Sequence, residues 1–366
     1  MSNIQITAAV LTYNAAERIE ACLQALMNQT RRAEDVLVVD NGSTDETLAI
    51  VRREFPTVRI VAHPDNTGCR GGRNRQLEAA FHRYVLVVND DAFLAPDCIA
   101  ELERNVGAQP EAVWTPRVCY EQDPGLIQFD GSEVHFLGET ALTNPDRRLD
   151  DAREPASGAQ ASAQPASALA QEPSALLPLP ISIAGGITYL IDRDAVRAVG
   201  GYDESYFFGR ADTELSFRLT LAGYGILSIR SARVYHRVKE RGFTYLRNQI
   251  RNRWMLILIG YSWRTITVLI PAFLAYEVML LAFLTLKGRS RDYVAANAEL
   301  VTQLPAILAK RRRLQAIKER RDRDVLCGGA INIRADVAGG WIYRRLHALV
   351  NMGFRSYWAC TRVLCG

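Results

Sequence analysis

The sequence predicts an α/β protein whose first two thirds build a layered sheet and whose last third is helical, basic and apolar. Three observations carry this. Tyr84-Val85-Leu86-Val87-Val88 runs straight into Asn89-Asp90-Asp91, with Pro96 soon after, the pattern of a strand buried on both faces of a parallel sheet. Strand-like runs alternate with helical periodicity ahead of it, each run ending in a polar cluster. Charge is divided: residues 1–236 hold 21 Lys and Arg against 32 Asp and Glu, whereas residues 237–366 hold 23 against 8. The 366 residues suffice for about two domains of ordinary size. A boundary is expected near 240.

Ile4 to Leu11 reads as the first strand and ends at Thr12-Tyr13-Asn14; Ala15 to Gln29 has helical spacing (Ile19, Leu23, Leu26, Met27). No glycine fingerprint stands between them, which weighs against a dinucleotide-binding unit. Val36 to Val39 is the second strand, closed by Asp40-Asn41-Gly42-Ser43-Thr44-Asp45. Gly42 suits a tight turn, Ser43 or Thr44 suits a cap on a helix from Glu46 to Arg53, and Asp40 can accept hydrogen bonds from a base N–H or ribose hydroxyls. Val58 to Ala62 is a third strand. His63 to Asn74 then reads as a glycine-rich loop ahead of a helix from Arg75 to Arg83, where Arg70 and Arg73 could approach a diphosphate. It is not a Walker A loop, since no GK[ST] follows. Ligands of open α/β sheets bind beyond the carboxyl ends of strands. There the acidic end of Tyr84–Asp91 suits a hard divalent cation or, equally, an acidic turn ahead of the helix at Pro96–Leu102.

Residues 105–138 read as mixed strand and loop with Trp114, Tyr120 and Phe129 as core or wall. Asn144 to Pro180 breaks the pattern with an Ala/Ser/Gln/Pro-rich run, a surface loop insertion. Order resumes at Ile181. Gly185-Gly186 lets backbone come close to a ligand or a packed neighbour. Arg193 to Val199 is a short helix. A second polar cluster, Gly209-Arg210-Ala211-Asp212-Thr213-Glu214, opens a helix with Leu215, Leu219 and Ala222 on one face. Asp212 and Glu214 meet the positive end of its dipole and, two residues apart, point different ways. Ile226 to Val234 is a last strand, followed by Tyr235-His236-Arg237.

In the last third, Gly242 to Leu258 reads as an amphipathic basic helix with aromatic anchors. Ile266 to Leu286 is about long enough to span a bilayer, but Pro271 and Glu277 inside it favour a re-entrant or interface-lying helix pair. Lys310–Arg313 and Lys318–Arg323 form a polybasic stretch suited to anionic headgroups, and Trp341 to Val363 again reads as interfacial. The long apolar runs argue against a nucleic-acid partner. Seven cysteines without CxxC pairing, and a start lacking a basic-then-apolar leader, are expected of reduced thiols in the cytosol.

VLTYN, VVDNGSTDET, NTGCRGGRN and VLVVNDDAFLAPD, in that order and spacing, resemble the family-2 glycosyltransferases with the GT-A fold, a nucleotide-diphospho-sugar transferase fold with a Rossmann-like mixed sheet. The resemblance covers residues 4–240 and implies roles. Thr12, Tyr13 and Asp40 hold the nucleoside; Asn66, Gly68 and Arg73 line the donor pocket with Asn89 and Asp90; Asp91 is the last carboxylate of the metal-binding DxD. Asp212 matches the catalytic base of the ED-x-[DE] site, Glu214 supports it beside Gly185 and Gly186 on the acceptor side, and His236 joins Asp91 as a metal ligand or diphosphate contact. The resemblance implies Mg²⁺ or Mn²⁺, a nucleotide-sugar donor, inversion at the anomeric carbon and a polyprenyl-linked glycan acceptor. It also implies membrane attachment through residues 242–366 at the cytoplasmic face of a bacterial cytoplasmic membrane, with an oligomer open. Two positions depart from the pattern: Asn89 stands first in the DxD, as in rhamnosyl- and galactofuranosyl-transferase-like members, and Ala211 replaces an acid. dTDP-rhamnose is the first donor expected and a UDP-sugar the next. A degenerate membrane scaffold of a glycan-assembly complex is the alternative those two departures leave open.

Overall fold

The computed structural model describes residues 4–107, 111–150, 177–206, 209–238, 242–331 and 341–366. The first elements are β1 (Ile6–Thr12), α1 (Ile19–Met27), β2 (Asp35–Asp40), α2 (Thr47–Glu54), β3 (Arg59–Ala62), α3 (Gly68–Ala79), β4 (Tyr84–Asn89), β5 (Ala92–Leu94) and α4 (Cys98–Arg104). Then come β6 (Glu111–Tyr120), β7 (Leu126–Phe129), β8 (Ser132–His135), β9 (Thr140–Leu142), β10 (Arg147–Arg148), β11 (Leu179–Ile181), β12 (Thr188–Asp192), α5 (Arg193–Ala198), α6 (Ala211–Leu221) and β13 (Gly225–His236). The last third holds α7 (Leu246–Gly260), α8 (Trp263–Leu286), α9 (Ser290–Thr302), α10 (Leu304–Ala316), α11 (Asp322–Val325), β14 (Leu326–Cys327) and α12 (Trp341–Thr361).

The sheet is mixed, as expected. β3, β2, β1 and β4 lie side by side and parallel, and β12 joins β4 antiparallel. Apolar residues fill both faces because each strand is covered twice. Val10, Val38, Leu86 and Val88 pack with α1, α2 and α4 on one side; Ala9, Leu37, Val39 and Val87 pack with α3, α5 and α6 on the other. Strand order reverses between β1 and β4, the place where such sheets open a ligand crevice. Of the expected insertion, residues 151–176 lie outside the described residues, but its ends are strands: β10 pairs with β7 and β11 with β13.

The C-terminal helices correct three expectations. First, the basic segment read as a membrane-surface helix is α7, and it is internal, packed by α6, α9 and α10. Arg253 is buried, donates to the Leu137 carbonyl at 2.8 Å and pairs with Glu277. Secondly, much of the polybasic stretch turns inward. The last carbonyls of α7 have no partner within their own helix. Arg311 donates to Leu258 and Tyr261 carbonyls at 2.7 and 2.6 Å, and Lys318 to Gly260 at 3.1 Å, placing cations at the negative helix end. Lys310 pairs with Asp203 at 2.7 Å, and Arg312, Arg313 and Arg321 are left exposed. Thirdly, α8 is one continuous 24-residue helix through Pro271 rather than a helix pair. Thr265, Leu269, Ala272, Phe273 and Leu284 face the protein, while Ile270, Leu274, Val278 and Leu281 are exposed on its other side. Glu277 lies on the inner side, bound by Arg253 and by Tyr293 Oη at 2.5 Å.

His135 closes β8 inside the core beneath these helices, and burial pushes its imidazole down to about 4. The folded chain keeps it neutral where the unfolded chain would bind a proton near pH 6.5. Its contribution to stability is therefore complete above that value and is lost as the pH falls from about 6.5 towards 4. The thermal midpoint is expected to drop between pH 7 and pH 5, and to drop less steeply in His135→Asn, as differential scanning fluorimetry would read.

Candidate active site

The carboxyl ends of β1, β2 and β4 come together at the point where strand order reverses, where sheets of this kind hold their ligands. β4 stops in three successive polar residues, and each is held differently. Asn89 bridges two elements: its Oδ1 accepts from Arg73 of α3, and its Nδ2 donates to the Gly186 carbonyl at 3.3 Å. An aspartate could not make the second bond, which gives a structural reason for Asn at this position.

Asp90 points the other way. Arg18 of the segment before α1 donates to both its oxygens, at 2.8 and 3.1 Å, and Thr12 Oγ1 and the Tyr13 N–H reach Oδ2 at 3.1 and 3.2 Å. Burial pushes the carboxyl up, and Arg18 draws it back towards ionisation. Asp90 and Thr12 thus have protein partners and tie β1 to β4, while the Tyr13 side chain stands exposed at the rim.

Asp91 meets His236. The antiparallel register of β5 and β13 sets His236 opposite Ala92, bringing Nε2 to 3.7 Å from Asp91 Oδ2. Gln128 Oε1 lies 2.9 Å from His236 Nδ1. An amide oxygen only accepts, so Nδ1 donates to it, and this bond turns Nε2 towards the carboxylate. One oxygen and one nitrogen acceptor directed at the same point suit a divalent cation that takes its remaining ligands from phosphate and water. Among the described residues there is no cluster of three or more His, Cys, Asp or Glu that could hold a metal.

Beyond Gly186, α6 presents Asp212 in its first turn. Tyr189 Oη of β12 donates to Oδ1 at 2.6 Å. A Cβ on Gly186 would come within 2.4 Å of Oδ2, so the missing side chain is what admits this carboxylate. Gly185 is likewise filled by the Phe129 ring, 2.3 Å from where its Cβ would be. Both glycines answer to packed neighbours. Glu214 points away, as its spacing predicted, and is held by Arg218 and by buried Arg70 at 3.4 Å.

The remaining expected positions are less open than the sequence suggested. Asp40 is buried and accepts the Ser43 N–H at 3.1 and 3.3 Å, closing the turn after β2. Asn66 Oδ1 accepts from Asn41 Nδ2 and from the Gly68 N–H, at 2.9 and 2.8 Å. The glycine-rich segment is helical, because α3 starts at Gly68. A Cβ on Gly72 would strike Leu11 Cδ1 at 2.4 Å, so these glycines allow close helix–strand packing and carry Arg70 and Arg73 into the interior. Arg18, Gln128, Tyr189 and Tyr202 were missed by sequence reasoning. Nothing in their local pattern signals contacts that span 13 to 108 positions.

Residues 7–152 match the glycosyl transferase family 2 model. The chain is 28 % identical over 247 residues to the N-acetylglucosaminyl-diphospho-decaprenol L-rhamnosyltransferase of Mycobacterium tuberculosis, across 62 % of this chain and 74 % of that protein. It is 27 % identical over 138 residues to the succinoglycan biosynthesis protein ExoO of Rhizobium meliloti, across 37 % of this chain and 38 % of that one. Among solved structures, GalNAc-T7 with UDP, GalNAc and Mn²⁺ superposes with a TM-score of 0.55 at 13 % identity, over 72 % of this chain and 49 % of that one. That likeness shows the fold. The match to glycosyl transferase family 2 thus spans the first part of the sheet domain, and the sheet has the GT-A fold.

Gly186→Ala is expected to displace the Asp212 carboxylate and to cost about 1–3 kcal/mol of stability by overpacking, measured as a lower urea midpoint with an unchanged slope.

Proposed function

We propose that this chain is an inverting glycosyltransferase that uses a divalent cation to move a sugar from a nucleotide sugar to a lipid-linked glycan in bacterial cell-surface polysaccharide synthesis. The M. tuberculosis relative, named for rhamnosyl transfer to a decaprenol-linked N-acetylglucosamine, supports dTDP-rhamnose as first donor, with UDP-sugars next, and a polyprenyl-diphosphate-linked acceptor. The Rhizobium relative supports a place in polysaccharide assembly, such as O-antigen, capsule or exopolysaccharide.

One observation carries the reading. A carboxylate at the start of α6, Asp212, and an acceptor pair suited to a cation, Asp91 and His236, are brought to the same end of the sheet, with Asn89 next to Asp91 bonded to Gly186, over which Asp212 packs. Asp212 Oδ2 takes the proton of the acceptor hydroxyl as that oxygen bonds to the anomeric carbon. The bond from that carbon to the diphosphate breaks on the opposite face, and the nucleoside diphosphate leaves with the electron pair. A single displacement of this kind inverts the anomeric centre. Bound at Asp91 and His236, Mg²⁺ or Mn²⁺ would neutralise charge on the leaving diphosphate. The Mn²⁺ found with GalNAc-T7 supports that choice. Tyr13, exposed beside β1, offers a face for the base.

The acceptor class calls for membrane contact, and the C-terminal helices support it. Outside α8, Leu349 and Met352 of α12 are also exposed, so a broad apolar surface is presented by packed helices. α8 is long and apolar enough to cross a membrane, yet its inner face carries the Glu277–Arg253 pair. That division fits a helix lying in the cytoplasmic leaflet with one face in lipid, and exposed Arg312, Arg313 and Arg321 suit anionic headgroups.

Purified protein offered a panel of dTDP-, UDP- and GDP-sugars with Mg²⁺ or Mn²⁺ should release one nucleoside diphosphate slowly. EDTA and Asp91→Ala should abolish the release, and Asp212→Asn should lower sugar transfer by about 10²–10⁴-fold. Full transfer by Asp212→Asn would remove it as the base. The protein is also expected to sediment with vesicles containing phosphatidylglycerol, and the double variant Leu274→Glu/Val278→Glu to lose most of that binding while keeping donor hydrolysis.

A further inference from the structure

Asp212 does not stand alone, and its neighbours assign its two oxygens different tasks. Oδ1 receives the Tyr189 hydroxyl at 2.6 Å. Tyr189 Oη is in turn hydrogen-bonded to Tyr202 Oη. Both phenols are buried, Tyr189 in the middle of the sheet between β4 and β6, Tyr202 in the turn after α5. That turn is fixed: Gly200 and Gly201 adopt φ of +92° and +73°, and Asn74 of α3 both accepts the Tyr202 N–H at 2.9 Å and donates to its carbonyl at 3.0 Å. Oδ2, by contrast, lies over Gly186, where a side chain has been left out.

Resting on the reading of Asp212 as the base, we infer that Tyr189 is the positioning residue for it, with Tyr202 behind, and that Oδ2 is the atom that takes the acceptor proton. A phenol donating to one carboxylate oxygen stabilises the ionised form, because hydrogen bonds to the charged state favour it. It also fixes the rotation of the carboxyl group, so the second oxygen keeps one direction without side-chain search. Burial pushes both phenols well above their ordinary range, which keeps them protonated donors wherever the enzyme works. Besides the two phenols, the titratable or charged groups packed towards Asp212 from other elements are Cys69 and Arg73 of α3. Cys69 is held as the neutral thiol by burial, and Arg73 lies against the Tyr189 ring, with Cζ 5.8 Å from its centre. Arg73 carries its charge throughout, so removing the Tyr189 hydroxyl changes the local field at one point only.

The test is the titration of Asp212 itself. Protein labelled with ¹³C at aspartate carboxyls is titrated by NMR, with Asp212→Asn identifying the signal. In Tyr189→Phe the midpoint of that carboxyl should rise by about one to two pH units, the loss of one hydrogen bond to a charged group. In Tyr202→Phe, which leaves the Tyr189 bond in place, it should rise less. On the donor and acceptor that support turnover, Tyr189→Phe should lower kcat about 10–100-fold with KM nearly unchanged and carry the acidic limb of the pH profile upward with the NMR midpoint. An unshifted carboxyl in folded Tyr189→Phe overturns the positioning role. Where that variant fails to fold, Tyr202→Phe with an unchanged midpoint overturns the relay. A shifted carboxyl together with full transfer by Asp212→Asn would instead leave the positioning intact and dispose of the base reading.

Discussion

The end of β4 constrains everything around it. Successive side chains of a strand leave on opposite faces, so Asn89 and Asp90 cannot share a partner, and Asp91 follows as the chain turns into β5. The structure uses all three directions. Asn89 reaches α3 and the Gly186 segment, Asp90 reaches β1 and Arg18, and Asp91 reaches the end of β13. Elements far apart in sequence are thereby fastened to three adjacent residues. A shift of β4 by one position would exchange the faces and unmake these contacts.

Small residues complete this arrangement from the other side. Gly72 lets α3 sit against Leu11 of β1, which sinks Arg73 deep enough to meet Asn89. Gly186 lets Asp212 approach β12, where Tyr189 is waiting. In both places the missing methyl group serves packing first, and the polar contact follows from the close approach. Arg70 shows the same logic with charge: fully buried, it is tolerated because Glu214 and the Tyr206 ring face it.

The helical third behaves as a second core docked on the sheet. Several of its basic residues are spent within the molecule, on the carbonyl end of α7 and on Asp203, Glu277 and Asp322, while others such as Arg264, Arg312 and Arg313 stay exposed. Its apolar residues divide between an inner set under α8 and an outer set with no protein cover. Net charge and hydropathy alone would have assigned both properties to one outward surface. The burial pattern separates them.

The sequence by itself determined the strands of the parallel half, the polar clusters at their ends, and the resemblance to family-2 glycosyltransferases. Each rests on local periodicity or on a short motif, and such signals survive because a strand covered on both faces must be apolar along its length. It also determined that Asp212 and Glu214 diverge, since helical spacing settles that. It did not determine the start of α3, where glycines mimic a loop, nor the inward turn of α7 and the polybasic stretch. Partners for Asp90, His236 and Asp212 come from residues as remote as Arg18, Gln128 and Tyr189. Tertiary structure decided those, because a carboxylate or imidazole has no intrinsic direction in sequence. Its role is set by whichever donors and voids the packed chain brings within about 3 Å.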